Sequence, residues 1–236
     1  LKQFTQNRQG LVLVVGPTGH GKSTALASMI NEINLTRAEH ILTIEDPVEF
    51  IFSHRESFIS QREVGGDTPD FALALKAALR EDINVVLVGE MRDKESIAAT
   101  LTLAETGHLI FATMHTNDAA QSVDRIVDVF PGDQQGQIRS QLANTLLGVV
   151  SLRLLPKVGG GRIPSAEIMV VNHAIRNVIR DNKIFEINNI IHTSMESGMV
   201  PLDKSLASLV KQGLVELEVA QNFVLDREYF TSLLGS

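Results

Sequence analysis

LVLVVGPTGHGKSTALASMINEI, residues 11–33, is the stretch on which the fold turns. Residues 11–15 are an unbroken apolar run of the kind a buried strand needs. Gly16-Pro17-Thr18-Gly19-His20-Gly21-Lys22-Ser23 follows and fits G-x-x-x-x-G-K-[ST], the phosphate-binding P-loop. Thr24 completes the expected nucleotide-binding set. Beyond it, Leu26, Met29, Ile30 and Ile33 recur at helical spacing on one side. Strand, loop and helix thus come in the order the motif requires. Glycines let the backbone wind so that successive N–H groups converge on phosphate oxygens. The helix N-terminus adds partial positive charge. Lys22 has the reach for the β- and γ-phosphates of ATP, and the Ser23 hydroxyl is of the type that ligates Mg²⁺. A chance glycine-rich turn is the plain alternative, and the Lys-Ser pair with both flanks correct weighs against it.

Downstream, strands end repeatedly in polar or acidic residues. Residues 40–44 form a second strand and run into Glu45-Asp46-Pro47-Val48-Glu49. Acids at a strand's C-terminal edge lie where open α/β sheets hold ligands. A solvated acidic turn is the bland reading, and the P-loop tips the balance against it. A short strand is expected within 57–60, then a helix over 70–81 that Thr68 or Asp70 could cap. Residues 84–88 form a third strand, whose four apolar residues Val85, Val86, Leu87 and Val88 lead to Gly89-Glu90, the form of a Walker B segment. Glu90 stands where Asp is usual, and its extra methylene suits holding the metal through water. Arg92 reads equally as a local salt-bridge partner of Asp93 or Glu95. After a helix over 94–106 comes a strand over 108–113, bracketed by His108 and His115. Neither histidine has a partner at zinc-ligand spacing. Thr113 and His115 at the strand's end are placed to sense the γ-phosphate.

Helices are expected over 118–129 and 134–150, then a hairpin of 151–156 with 163–171 across a glycine-rich turn. From residue 172 the pattern is helical only, over 174–181, 184–193, 201–212 and 219–223, with a short tail. The chain is therefore α/β with a mainly parallel sheet. It divides into a core, 1–171, and a small helical C-terminal lobe, 172–236. A formal net charge of −7 argues against a nucleic-acid-coating surface. With no cysteine, disulfides and thiolate metal sites are excluded. No apolar run reaches membrane-spanning length. The N-terminus looks like neither a signal nor a transit peptide, and the absent initial Met marks a possible fragment.

Taken together, GPTGHGKSTALASMI, ILTIEDPVEF, QREVGGDT, ALREDINVVLVGEMRD, AETGHLIFATMHTNDA and RIVDVFP resemble the secretion-ATPase superfamily of hexameric motors, and within it the type IV pilus retraction ATPases. The resemblance spans nearly the whole chain. It implies a RecA-like P-loop NTPase core and an ATPase working with ATP and Mg²⁺. It assigns Glu49 to the attacking water, Glu45 and Asp46 to its support, Lys22 and Glu90 to catalysis, and His108, Thr113 and His115 to a His box. Ala174-Ile175-Arg176-Asn177-Val178-Ile179-Arg180 matches the family's retraction element. By spacing alone Arg176 and Arg180 are also a solvated basic stripe. Implied partners are a homo-hexamer and an inner-membrane pilus platform protein, with a cytoplasmic location at the pilus base, peripheral to the membrane and without nucleic acid. The family's PAS-like N-terminal domain, expected before residue 1, contributes arginines across subunits. Arg62, Arg80 and Arg92 are further candidates for that role. His20 replaces a small residue, with little effect expected, and Leu152 stands where the family more often has Gln. The rivals are an accessory retraction motor, a nucleotide-gated ring scaffold with little hydrolysis, and a DNA-handling RecA-like motor. The acidic charge disfavours the last of these.

Overall fold

A computed structural model describes residues 1–235, so Ser236 of the expected lobe lies outside the described residues. Its strands are β1 (Gly10–Val15), β2 (His40–Glu45), β3 (Phe58–Glu63), β4 (Val85–Val88), β5 (Leu109–Met114), β6 (Leu146–Pro156) and β7 (Arg162–Val170). They form one seven-stranded sheet in the order β3-β2-β4-β5-β1-β6-β7. All neighbours pair in parallel except β6 with β7. Every residue of β1, β4 and β5 is buried. This is why they read as continuous apolar runs, the mark of parallel strands covered on both faces.

The helices are α1 (Lys2–Thr5), α2 (Lys22–Thr36), α3 (Phe71–Ala78), α4 (Lys94–Glu105), α5 (Ala119–Asp128), α6 (Gly132–Thr145), α7 (His173–Arg180), α8 (Ile187–Thr193), α9 (Leu202–Lys211), α10 (Leu217–Gln221) and α11 (Arg227–Gly235). Side chains alternate across β1. Val12 and Val14 pack with Leu26, Met29, Ile30 and Ile33 of α2 and with Phe4 of α1. Leu11, Leu13 and Val15 pack with α3 to α8 on the other face. Each fully buried aliphatic side chain contributes roughly 1.5–3 kcal/mol of transfer free energy. The result is a sheet held between two helical layers.

Ile175, Val178, Ile179, Ile187 and Ile191 of α7 and α8 join the apolar cluster of the sheet itself. Helices α9 to α11 instead enclose a separate small core with Leu155 of β6. Buried Asp203 accepts from the Leu225 and Asp226 backbone N–H groups at 2.9 and 2.8 Å, pinning the turn before α11.

Local differences from the sequence expectation have physical causes. The helix expected over 134–150 ends at Thr145, and β6 begins at Leu146. Residues 146–150 are a short apolar run, which periodicity alone does not assign to helix or strand. Gly148 permits a close approach within β6: a Cβ there would meet the Phe4 ring at 2.4 Å and Met169 O at 2.6 Å. The short strand of 57–60 extends to Glu63 as a polar edge strand. The expected tail contains α11.

Candidate nucleotide-binding site

The C-terminal ends of β1, β2, β4 and β5 open onto a cavity of about 680 Å³. It is lined by the loop after β1, the acidic segment after β2, Glu90 and Arg92 after β4, and Thr113 and His115 of the β5 end. Strand β5 lies between β1 and β4, so His115 is set between the P-loop and Glu90.

The loop is built by backbone geometry. Gly16 has φ +143°, and a Cβ there would lie 2.6 Å from Leu152 O. Gly19 and Gly21 have φ +78° and +86°. Helices α3, α4, α5 and α7 each begin with an Asp or Asn side chain accepting a first-turn N–H. Helix α2 begins at Gly21 with no side-chain cap. Helices α6 and α9 also lack such a cap, but the first turn of α2, Lys22 to Thr24, lines the cavity, where its N–H groups suit an anion.

Lys22 is only 8% exposed. Its Nζ donates to Gly16 O at 2.8 Å and Pro17 O at 3.1 Å, and lies 3.5 Å from His115 Nδ1. Burial lowers its pKa below the ordinary lysine value, while Glu90 and Glu49 oppose the shift. An ammonium held on carbonyls beside two carboxylates is ready to exchange those contacts for phosphate oxygens. Thr18 Oγ1 lies 3.4 Å from His115 Nδ1. Ser23 Oγ donates to Glu49 Oε1 at 2.8 Å. Thr24 is exposed and also lines the cavity.

The acids differ in setting. Glu45 is buried and accepts from Thr43 Oγ1 at 2.7 Å and from Gln61 Nε2 at 3.4 Å. Asp46, joined to Pro47 by a cis peptide, is exposed at the cavity, as is Glu49. Glu90 accepts from Arg92 Nε at 2.6 Å and lies 3.3 Å from His115 Nε2. Arg92 therefore pairs with Glu90, while Asp93 serves as the α4 cap. Thr113 Oγ1 donates to Gly89 O.

Not every expected residue joins the cavity. His108 sits at the opposite, N-terminal end of β5, with Nδ1 3.0 Å from Leu103 O. On α7, Ile175 and Ile179 are buried, Ala174 and Asn177 are exposed, and Arg176 is partly exposed. Arg180 donates to Asn144 Oδ1 at 2.7 Å. None of these lines the cavity. Arg62 is engaged bidentately with Glu81, and Arg80 is exposed.

Other residues escaped the sequence reading. Gln61 clamps the acidic segment, donating to Phe50 O and accepting from Phe52 N, both at 2.9 Å. Glu63 accepts from Val48 N. Arg153 donates to Leu152 O and Asn117 O, and Arg162 reaches Gly19 O at 3.4 Å. Polar residues at the ends of otherwise apolar or edge strands were the available signal. His20, from which little effect was expected, accepts at Nδ1 from Leu154 N–H at 3.2 Å.

Magnesium suits this donor set. Among the described residues no group of three or more His, Cys, Asp or Glu could hold a metal by itself. The oxygen donors at the cavity are the Ser23 hydroxyl and the Glu49 and Glu90 carboxylates, of the kind magnesium takes alongside substrate phosphates and water.

A sheet of this order with this loop defines a RecA-like P-loop NTPase core. The chain belongs to the type II/IV secretion system protein family, whose model matches residues 1–161. It is 53% identical to the twitching motility protein of Neisseria gonorrhoeae, over 93% of this chain and 59% of that protein. It is 49% identical to the type IV pilus retractation ATPase PilT of Pseudomonas aeruginosa, over 93% of this chain and 64% of that one. A crystal structure of the pilus retraction motor PilT with bound ADP superposes with a TM-score of 0.90 at 49% identity, covering 96% of this chain and 64% of that chain. The chain thus spans less than two thirds of the length of these relatives.

Proposed function

We propose that this chain is the ATP-hydrolysing unit of a ring motor that powers type IV pilus retraction. The observation that carries the reading is one cavity uniting buried Lys22 and the uncapped α2 terminus with Ser23–Glu49 and Glu90–His115. The likeness to PilT, described with bound ADP, supports it.

Hydrolysis of the β–γ bond needs an in-line water and neutralisation of spreading charge. Lys22 and the first-turn N–H groups hold phosphate oxygens. Ser23 and Glu90 would hold Mg²⁺, which would supply further neutralisation of the phosphates. Glu49 orients the attacking water and accepts its proton. Glu45 and Asp46 keep the acidic segment in place. Thr113 and His115 read the phosphate state, and Arg92 moves with Glu90.

Six copies in a ring, acting on an inner-membrane platform protein at its cytoplasmic face, would convert sequential closure into pilus disassembly. The AIRNxIR helix, with Arg176 and Arg180 outward from its buried isoleucines, serves that retraction role. No described helix is long and apolar enough to cross a membrane. Attachment through the platform partner follows from that reading. The test is ATP turnover against oligomeric state, for this chain and for a version lengthened to the relatives' size. Magnesium-dependent turnover that rises with ring formation is expected. Failure of both forms to bind ATP or ADP would overturn the assignment. Binding without turnover in the lengthened ring would favour the scaffold instead.

A further inference from the structure

Strand β6 is longer than its neighbour β1. Their pairing ends at Val15 with Ser151, yet β6 continues to Pro156. The side of β6 facing β1 is therefore left without a strand partner beyond Ser151. The P-loop covers this overhang. Gly16 packs against Leu152 O, and His20 accepts the Leu154 N–H through Nδ1 at 3.2 Å. Leu154 is two residues beyond Leu152, whose C=O faces Gly16, so its N–H points to the same side, away from β7, and the bond to His20 satisfies a donor that the hairpin does not use.

The other side of the same ring faces the C-terminal lobe. The His20 and Phe223 centroids are 6.5 Å apart at 61°, an edge-to-face approach. Phe223 packs on the lobe core that contains Leu155, the next residue along β6. One side chain of the phosphate loop therefore touches both β6 and the lobe. The charged groups around it are Lys22 of its own loop, Arg153 of β6 and Arg162 of β7. Burial, then these cations, holds the imidazole below its ordinary pKa, in the neutral form that an acceptor Nδ1 requires.

We propose that His20 is a positioning residue that ties the P-loop to β6 and the helical lobe, so that nucleotide in the loop is felt by the segment from α10 to Phe223. This extends the nucleotide-binding reading above and rests on it. A serine or other small residue at position 20 lacks the ring that spans both contacts.

The test compares wild type, His20→Ala and His20→Asn by hydrogen exchange and by ADP titration. Asn carries an oxygen near the Nδ1 position, so it preserves the bond to Leu154 but not the ring on Phe223. Without nucleotide, the Leu154 amide is expected to exchange at least ~10-fold faster in His20→Ala than in wild type or His20→Asn. ADP affinity is expected to fall roughly five-fold in His20→Ala, the effect of one neutral hydrogen bond, and to recover in His20→Asn. ADP-induced protection over residues 217–223 is expected in wild type and reduced in both variants. Equal Leu154 exchange in all three proteins would overturn the tie to β6. An unchanged ADP response over 217–223 in His20→Ala would overturn the link to the lobe. A wild type that binds no ADP would sink the nucleotide reading, while the nucleotide-free exchange comparison still decides the tie.

Discussion

Ser23 and Glu49, far apart in sequence, meet through a 2.8 Å hydrogen bond from Ser23 Oγ to Glu49 Oε1 across the mouth of the cavity. The hydroxyl suited to the metal and the carboxylate suited to the water thus hold each other. That bond occupies both groups at once, so Glu49 can turn to a water only when the bond opens.

Glu49→Gln keeps the shape and a hydrogen-bond acceptor but cannot take a proton. It should leave ADP affinity within about two-fold and lower turnover by roughly 100-fold or more, the usual worth of a general base. Steady-state turnover and ADP titration of assembled protein check this. Undiminished turnover would remove Glu49 from the mechanism.

Lys22→Ala removes the buried ammonium and leaves the Gly16 and Pro17 carbonyls without that donor. Charge-assisted bonds to phosphate are worth about 1.5–3 kcal/mol, so ADP binding should weaken roughly 10- to 100-fold. Calorimetric titration measures it. A circular dichroism spectrum matching wild type would show that the loss is not unfolding.

Gly16→Ala places a Cβ 2.6 Å from Leu152 O at a φ of +143°. It should destabilise the protein by about 2 kcal/mol or more, through strain and displacement of β6. Gly136 lies within α6, exposed, with nothing within 4 Å of an added Cβ. Gly136→Ala should therefore stabilise by up to about 1 kcal/mol. Urea denaturation of the pair tests whether close approach, rather than glycine itself, sets the penalty.

Glu167 of β7 is buried against β6 and the start of α5, accepting from Ala119 N at 3.0 Å and Ser151 Oγ at 2.9 Å. Burial raises its pKa, against those two hydrogen bonds. A carboxyl with a higher pKa folded than unfolded binds its proton more tightly in the fold. Its contribution to stability is full below the unfolded pKa and is lost as pH rises through the folded one. Glu167→Gln is neutral throughout. The Tm of Glu167→Gln relative to wild type should be most favourable at neutral pH and decline as pH falls toward the ordinary carboxylate range. A pH-independent difference would show that Glu167 titrates normally.

The strand–loop–helix unit, the apolar strands and the Asp70 cap were legible because each is encoded within a few neighbouring residues. Backbone torsion, side-chain period and capping act locally. The P-loop, Glu45, Glu49, Glu90 and His115 could be named for the same reason, as polar residues ending apolar runs. The end of α6 could not be placed, because 146–150 is a short apolar run that fits a helix or a strand equally, and only pairing with β1 decides for strand.

What the amino-acid order determined by itself was the set of elements and the chemistry at their ends. The tertiary structure decided which ends meet. Inserting β5 between β1 and β4 sets His115 within reach of both Lys22 and Glu90, and leaves His108 at the far edge of the same strand. It also gave Arg92 to Glu90, Gln61 to the acidic segment and His20 to Leu154. Those pairings follow from strand order and register, which arise from burying both faces of the whole sheet and which no local pattern records.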